Sequence, residues 1–456
     1  MLTGISVGGN VNLRNYKIYA QSMCAVALCI FFAAAMPAYA EESTEHHIKA
    51  PVADKIKKEL TIHSDTRIDY YYWLNERDNP EVIKYLTAEN EYTTAMLKDT
   101  EPLQKKLYDE IVGRIKQTDM EVPYLENGYY YYKRFEKGKE YPIYCRKKGS
   151  LKAREEIILN VNKMAQGYDY YNVSDVYVSP NNTILAYGVD TVSRRKYTIY
   201  FKNLTTGKLL KDALVNTSGN TAWANDNKTV FYEIKDEVTL RPFKIYRHVL
   251  GTDQSTDKLV FHEKDEAYNI MVFKTRSQKY LIIAADSTLS TEYRFLDAST
   301  PDKEFIIFQP REKELEYHID HVNDTFYIRT NLNAKNFRLM KTSVTSTGKD
   351  NWIEVVPHRD DVLLDGFELF NNFIVLDEMK DGLKQFRVMD LAKDMDYYID
   401  FGEETYMAYF DENRVMDTNV LRFVYSSLTT PESTYDYDMS MHKKILLKRE
   451  EVTRRI

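Results

Sequence analysis

The chain has 456 residues with 62 basic and 69 acidic side chains, a net charge of −7, and both signs are mixed along its length with no basic stripe or long acidic tail. That distribution argues against a nucleic-acid partner. Thirty-seven Tyr against 16 Gly and 12 Pro is a β-leaning balance, because aromatic side chains pack well on a pleated surface.

Residues 1–40 read as a secretory signal. Arg14 and Lys17 form a basic start, Met23 to Met36 an apolar run, and Ala38-Tyr39-Ala40 a small-x-small cleavage triplet before Glu41. The run is about 14 residues, short of the roughly 20 needed to span a bilayer. The expectation is therefore an exported protein, periplasmic or secreted, cleaved after Ala40 and without a membrane anchor thereafter. Cys24 and Cys29 leave with the signal, so the mature chain keeps Cys145 alone and forms no internal disulfide.

Residues 41–120 read as an extended and then helical segment. Asn79-Pro80 is an N-cap followed by a first-turn proline, and Val82, Ile83, Tyr85, Leu86, Met96 and Leu97 suit one helix. Thr100-Glu101-Pro102 restarts it, and Leu103, Leu107, Ile111 and Ile115 recur every fourth position.

From 121 to 447 the pattern is short strands and turns. An aromatic residue recurs at Tyr144, Tyr200, Tyr246, Tyr293, Phe337, Phe386 and Tyr435, with spacings of 56, 46, 47, 44, 49 and 49 residues. Each sits in a β-prone run preceded by another, and turn words such as Asn127-Gly128, Pro180-Asn181-Asn182 and Asp381-Gly382 punctuate the series. That period is the one at which four-stranded blades repeat, so the expected fold is all-β, a seven-bladed β-propeller behind an α-helical N-terminal segment. Residues 448–456 are a charged stub.

Candidate chemistry is sparse. The one G-x-S-x-G, Gly4-Ile5-Ser6-Val7-Gly8, precedes the signal and lacks the strand-to-helix elbow a hydrolase needs. His318 and His321, with Asp320 and Asp324, have metal-like spacing but read as a polar turn, and His46 and His47 as exposed. Asp236-Glu237 and Asp394-Met395-Asp396 lack the calcium-loop pattern, and Arg194-Arg195-Lys196 reads as a solvated loop or a contact for an acidic face. No phosphate loop, dinucleotide fingerprint, H-E-x-x-H or CxxC occurs, so no catalytic residue, cofactor or metal is expected.

Several longer words resemble the prolyl oligopeptidase family. Asp69-Tyr70-Tyr71-Tyr72-Trp73-Leu74, Asn79-Pro80-Glu81-Val82 and Ala88-Glu89-Asn90 are similar to its N-terminal segment. Gly138-Lys139-Glu140-Tyr141-Pro142-Ile143-Tyr144, Met164-Ala165-Gln166-Gly167, Trp223-Ala224-Asn225-Asp226, His248-Val249-Leu250-Gly251-Thr252 and Tyr425-Ser426-Ser427-Leu428-Thr429-Thr430-Pro431 point to its oligopeptidase B (protease II) branch. The resemblance implies a propeller that caps an α/β-hydrolase domain and admits short basic peptides, cleaved after Arg or Lys by a serine nucleophile in that domain. The family's α/β-hydrolase domain is absent from these residues. The expectation is the substrate-gating portion of an exported serine peptidase, truncated before its catalytic domain and inactive alone. The alternatives are an active oligopeptidase completed by a downstream or separate hydrolase domain, and a free-standing peptide- or protein-binding propeller.

Overall fold

A computed structural model describes residues 49–452. The signal, His46, His47 and the G-x-S-x-G word lie outside the described residues, as do the last four residues of the C-terminal stub. The chain divides into two compact units between Lys116 and Gln117.

In the N-terminal unit a two-stranded hairpin, Lys58–Ile62 with Asp65–Asp69, precedes helices α1 (Pro80–Leu97) and α2 (Glu101–Gly113). The Asn79 side chain accepts from the Glu81 amide at 2.9 Å, which satisfies one of the unpaired donors at the start of α1. A single 3₁₀ turn, Lys98–Thr100, separates the helices where the second proline forbids a continuous ladder. Val82 is the one fully buried side chain of α1, and α2 has none. Ile83, Leu86, Leu103, Leu107 and Ile111 are exposed within this unit.

The second unit is a β-propeller of antiparallel meanders. Five sheets have four strands each: sheet I (124–160), sheet III (269–309), sheet IV (317–356), sheet V (363–398) and sheet VI (406–449). Sheet II (172–262) has seven strands. Among the described residues the four-stranded blades thus number five, not the seven expected from the aromatic period. The cause is the 15-residue strand Leu209–Trp223, which pairs with Tyr197–Asn203 and with Thr229–Lys235, so that one strand serves two neighbours where two separate blades were expected. Its register shifts after Leu209, Leu214 and Thr217, and these bulges bend the strand without ending it. The aromatic series still follows the meanders. Tyr144, Tyr200, Tyr246, Tyr293, Phe386 and Tyr435 lie within strands, and Phe337 immediately precedes Arg338–Ser343.

In each four-stranded sheet the first strand is the inner edge and the fourth is the outer edge. The fourth strand starts exposed and turns buried in sheets I, III and IV, whereas in Lys443–Arg449 every residue but Lys448 is exposed. Apolar clusters fill the spaces between consecutive sheets. Leu159, Val161, Leu185 and Tyr187 join I to II, Phe231, Ile245, Leu281 and Ile283 join II to III, and Phe295, Phe308, Phe326 and Trp352 join III to IV. Leu339 and Val356 meet Ile374 and Leu376 between IV and V, and Phe386, Phe401, Phe423 and Tyr425 lie between V and VI. Among the described residues no such cluster joins VI to I. That junction is polar: Lys448 Nζ donates to Asp119 Oδ2 and to the Met120 carbonyl, each at 2.8 Å, and Arg422 Nη1 donates to the Pro123 carbonyl at 2.7 Å.

Candidate functional site

The first strands of the sheets all run the same way, because each meander starts at the centre. Their C-terminal ends therefore gather at one end of the interior, and the charged residues there come from segments far apart in sequence. Arg276, just past Asn269–Lys274, reaches three other sheets. Its guanidinium donates to Glu368 of sheet V and to the Asn413 carbonyl of sheet VI, and its amide donates to Asp320 Oδ1 of sheet IV at 3.1 Å. The Phe370 ring lies 4.9 Å from its guanidinium carbon. Burial raises the carboxyls of Glu368 and Asp320, and the positive charge of Arg276 opposes that rise in both.

Beside this group Arg414 Nε donates to Glu412 Oε2 at 2.7 Å, and its guanidinium faces the Tyr124 ring at 5.9 Å. Lys274 donates to Asn225 Oδ1 at 2.6 Å, and burial pushes its amine down to about 8 against the pull of Glu126.

Toward the other end, Glu233 Oε1 accepts from Asn220 Nδ2 at 2.7 Å and from the Val272 amide at 2.8 Å, and burial raises its carboxyl to about 7. Asp286 rises to about 7 through burial alone. Lys384 donates to Asp365 and, at 2.8 Å, to Asp377 Oδ2, whose carboxyl burial lifts to about 6 against the attraction of Lys384. His318 Nδ1 lies 3.3 Å from the Tyr293 hydroxyl, and burial, with Arg329 nearby, lowers its ring to about 4. The interior thus carries ionisable groups of both signs, some ion-paired, as Arg276 with Glu368 and Lys384 with Asp377, and others, such as Asp286, shifted by burial alone. Such a wall can present carboxylates and guanidinium groups to an extended polar chain.

His318 and His321 lie in strand Tyr317–Val322, not in the turn expected for them. An odd spacing in a strand sends side chains to opposite faces, so the two rings do not converge. Among the described residues no group of three His, Cys, Asp or Glu side chains could hold a metal ion. His321 Nδ1 sits 2.9 Å from Ser277 Oγ, which brings a hydroxyl and an imidazole together. The ring is packed on Tyr280 and Phe326, its Nε2 has no partner, and burial lowers it to about 4. A general base needs an orienting group on its second nitrogen and access to substrate, and this buried ring has neither.

Asp236 closes its own turn by accepting from the Val238 and Thr239 amides at 3.0 and 2.8 Å. Asp396 accepts from Arg387, and Asp394 holds a turn position with φ of 52°. The Arg194–Lys196 cluster is in the loop after Ile184–Asp190, where the Arg195 amide donates to Asp190 Oδ2 at 2.7 Å. Arg276, Glu368, Arg414 and Glu233 were not singled out in the sequence, since none belongs to a local motif.

An all-β propeller domain whose interior is charged and whose sheets are consecutive meanders is the class that this geometry defines. The chain belongs to the prolyl oligopeptidase family: residues 51–450 match its N-terminal β-propeller domain. It is 40% identical over 425 residues to dipeptidyl aminopeptidase BI of Pseudoxanthomonas mexicana, covering 89% of this chain and 57% of that protein. Protease 2 of Moraxella lacunata is 30% identical over 408 residues, covering 88% of this chain and 58% of the relative. The structure of oligopeptidase B from Leishmania major superposes with a TM-score of 0.83 at 28% identity, covering 89% of this chain and 61% of that one. The chain therefore spans less than two thirds of the length of these relatives, and it corresponds to their propeller portion.

Proposed function

We propose that these residues gate the access of short basic peptides to an α/β-hydrolase domain of a serine peptidase of the oligopeptidase B type, in a protein exported after cleavage behind Ala40. The observation that carries this reading is the match over residues 51–450 to the propeller domain of a peptidase family. The interior supports it, because acidic groups such as Asp286 and Asp377, raised by burial to about 7 and about 6, are favoured to ionise beside an Arg or Lys side chain, while a closed ring excludes folded proteins. Serine peptidase chemistry needs a nucleophile, its base and an oxyanion hole within reach of one another. Among the described residues we find only the sequestered Ser277–His321 pair, and we infer that this stretch is inactive by itself.

The experiment is to purify residues 41–456 and incubate them with an Arg-containing chromogenic peptide and a fluorophosphonate probe. Neither cleavage nor labelling is expected, and labelling would overturn the reading. Fusing a relative's hydrolase domain after Ile456 should restore cleavage.

A second reading of the complete enzyme is favoured by one observation, the higher identity to a protein named dipeptidyl aminopeptidase BI than to protease 2. On that reading the completed enzyme releases dipeptides from free N-termini. Comparing a free dipeptidyl-chromogenic substrate with its N-blocked form separates the two.

A further inference from the structure

Arg276 joins sheets that share no ladder with its own. Its guanidinium donates to Glu368, 92 residues away and two sheets on, and to the Asn413 carbonyl, 137 residues away and three sheets on. Its amide adds Asp320 of the sheet between. A side chain in contact with both of those sheets has to cross part of the interior. The arginine fork suits this, since several donors in one plane can hold a carboxylate and a carbonyl together. Its side chain and that of Glu368 are 19% and 21% exposed, so water screens the pair little.

We propose that Arg276 is a cross-channel tie that sets the width of the propeller at this end, holding the inner strands of sheets III, V and VI at a fixed spacing. Between consecutive sheets from I to VI the apolar clusters already fix the separation. Sheets III and VI are not neighbours, and the Arg276 to Asn413 bond constrains them directly. The tie is a positioning device, and it stands independently of the peptidase reading.

The test uses spin labels on cysteines introduced at the exposed positions Gln278 and Asn419, in turns of sheets III and VI; Cys145 is buried and stays unlabelled. Pulsed dipolar spectroscopy should give a narrow distance distribution in the parent. In Arg276→Ala the distribution should lengthen and broaden, while a control pair at Lys152 and Lys208 stays unchanged. Arg276→Lys retains one charge without the fork and should fall between. Glu368→Gln keeps the shape but loses the carboxylate, and should broaden the distribution in the same direction even if Arg276→Ala fails to fold. An unchanged distribution in Arg276→Lys and Glu368→Gln would overturn the proposal, as would equal broadening of both label pairs.

Discussion

Lys448 and Asp119 stand 329 positions apart and meet at 2.8 Å, Nζ to Oδ2, where the last sheet returns to the first. With the Arg422 to Pro123 bond this pair occupies a junction that lacks the apolar filling of the other five. Among the described residues neither sheet lends a strand to the other, and side chains bridge the junction.

Removing the pair should loosen the junction without unfolding the ring. Asp119→Ala and Lys448→Ala should each cost about 1 kcal/mol, as a half-buried ion pair with an added carbonyl contact does. Hydrogen exchange is the sharper measurement. Amides in Lys443–Arg449 and 119–135 should exchange faster, and those in sheet III should not. Uniform acceleration across the ring would contradict this.

The interface between sheets V and VI should be far less forgiving. Phe386 is fully buried and packs edge-on to Phe401 and Phe423, with Phe410 4.5 Å away between ring centroids. Phe386→Ala leaves a cavity among rings that cannot collapse, and should lower the unfolding free energy by about 3–5 kcal/mol in denaturant melts. Phe386→Leu should recover part of it.

Glu233 supplies a pH dependence whose sign is fixed by its burial. Its carboxyl lies at about 7 in the fold against an ordinary 4.5, so the folded state holds the proton more tightly than the unfolded chain. The stabilisation is complete below the ordinary value and is lost as pH rises through the folded one. Glu233→Gln keeps an acceptor for Asn220 and Val272 and removes the titration. Its melting temperature should therefore gain on the parent between about pH 5 and about pH 8, by the equivalent of ~3 kcal/mol at most. A constant difference over that range would refute the assignment.

Gly219 should not tolerate a side chain. Its φ is +94°, and a Cβ there would meet Ser174 Oγ and lie 2.9 Å from Tyr197 Cγ. Gly219→Ala should cost roughly 2 kcal/mol or more through strain and overpacking. The position lies within the long strand Leu209–Trp223, so the measurement also reports on that strand.

The local levels of this fold were legible because each rests on neighbouring residues. The Asn79-Pro80 start of α1 and the hairpins around Asn127-Gly128 and Asp381-Gly382 follow from capping and turn chemistry. The aromatic series was legible too, since a repeated meander repeats its packing. The strand that serves two neighbours was not. Asn216 and Gly219 take positive φ, as turn residues do, yet the fold absorbs both as bulges inside one strand. Whether such a residue turns or bulges is decided by partners on either side, not by the residue itself. The interior charges were hidden for a related reason: Arg276 meets Glu368 and Asn413 only after the sheets have closed on one another.

The strand Leu209–Trp223 also distributes stiffness unevenly around the ring. Sliding one neighbour past the other there would require stretching a continuous backbone, whereas among the described residues the polar seam is bridged by side chains such as Lys448 and Arg422. Thermal breathing of the propeller therefore has a preferred direction, a clamp that is rigid at its spine and yields at its jaws.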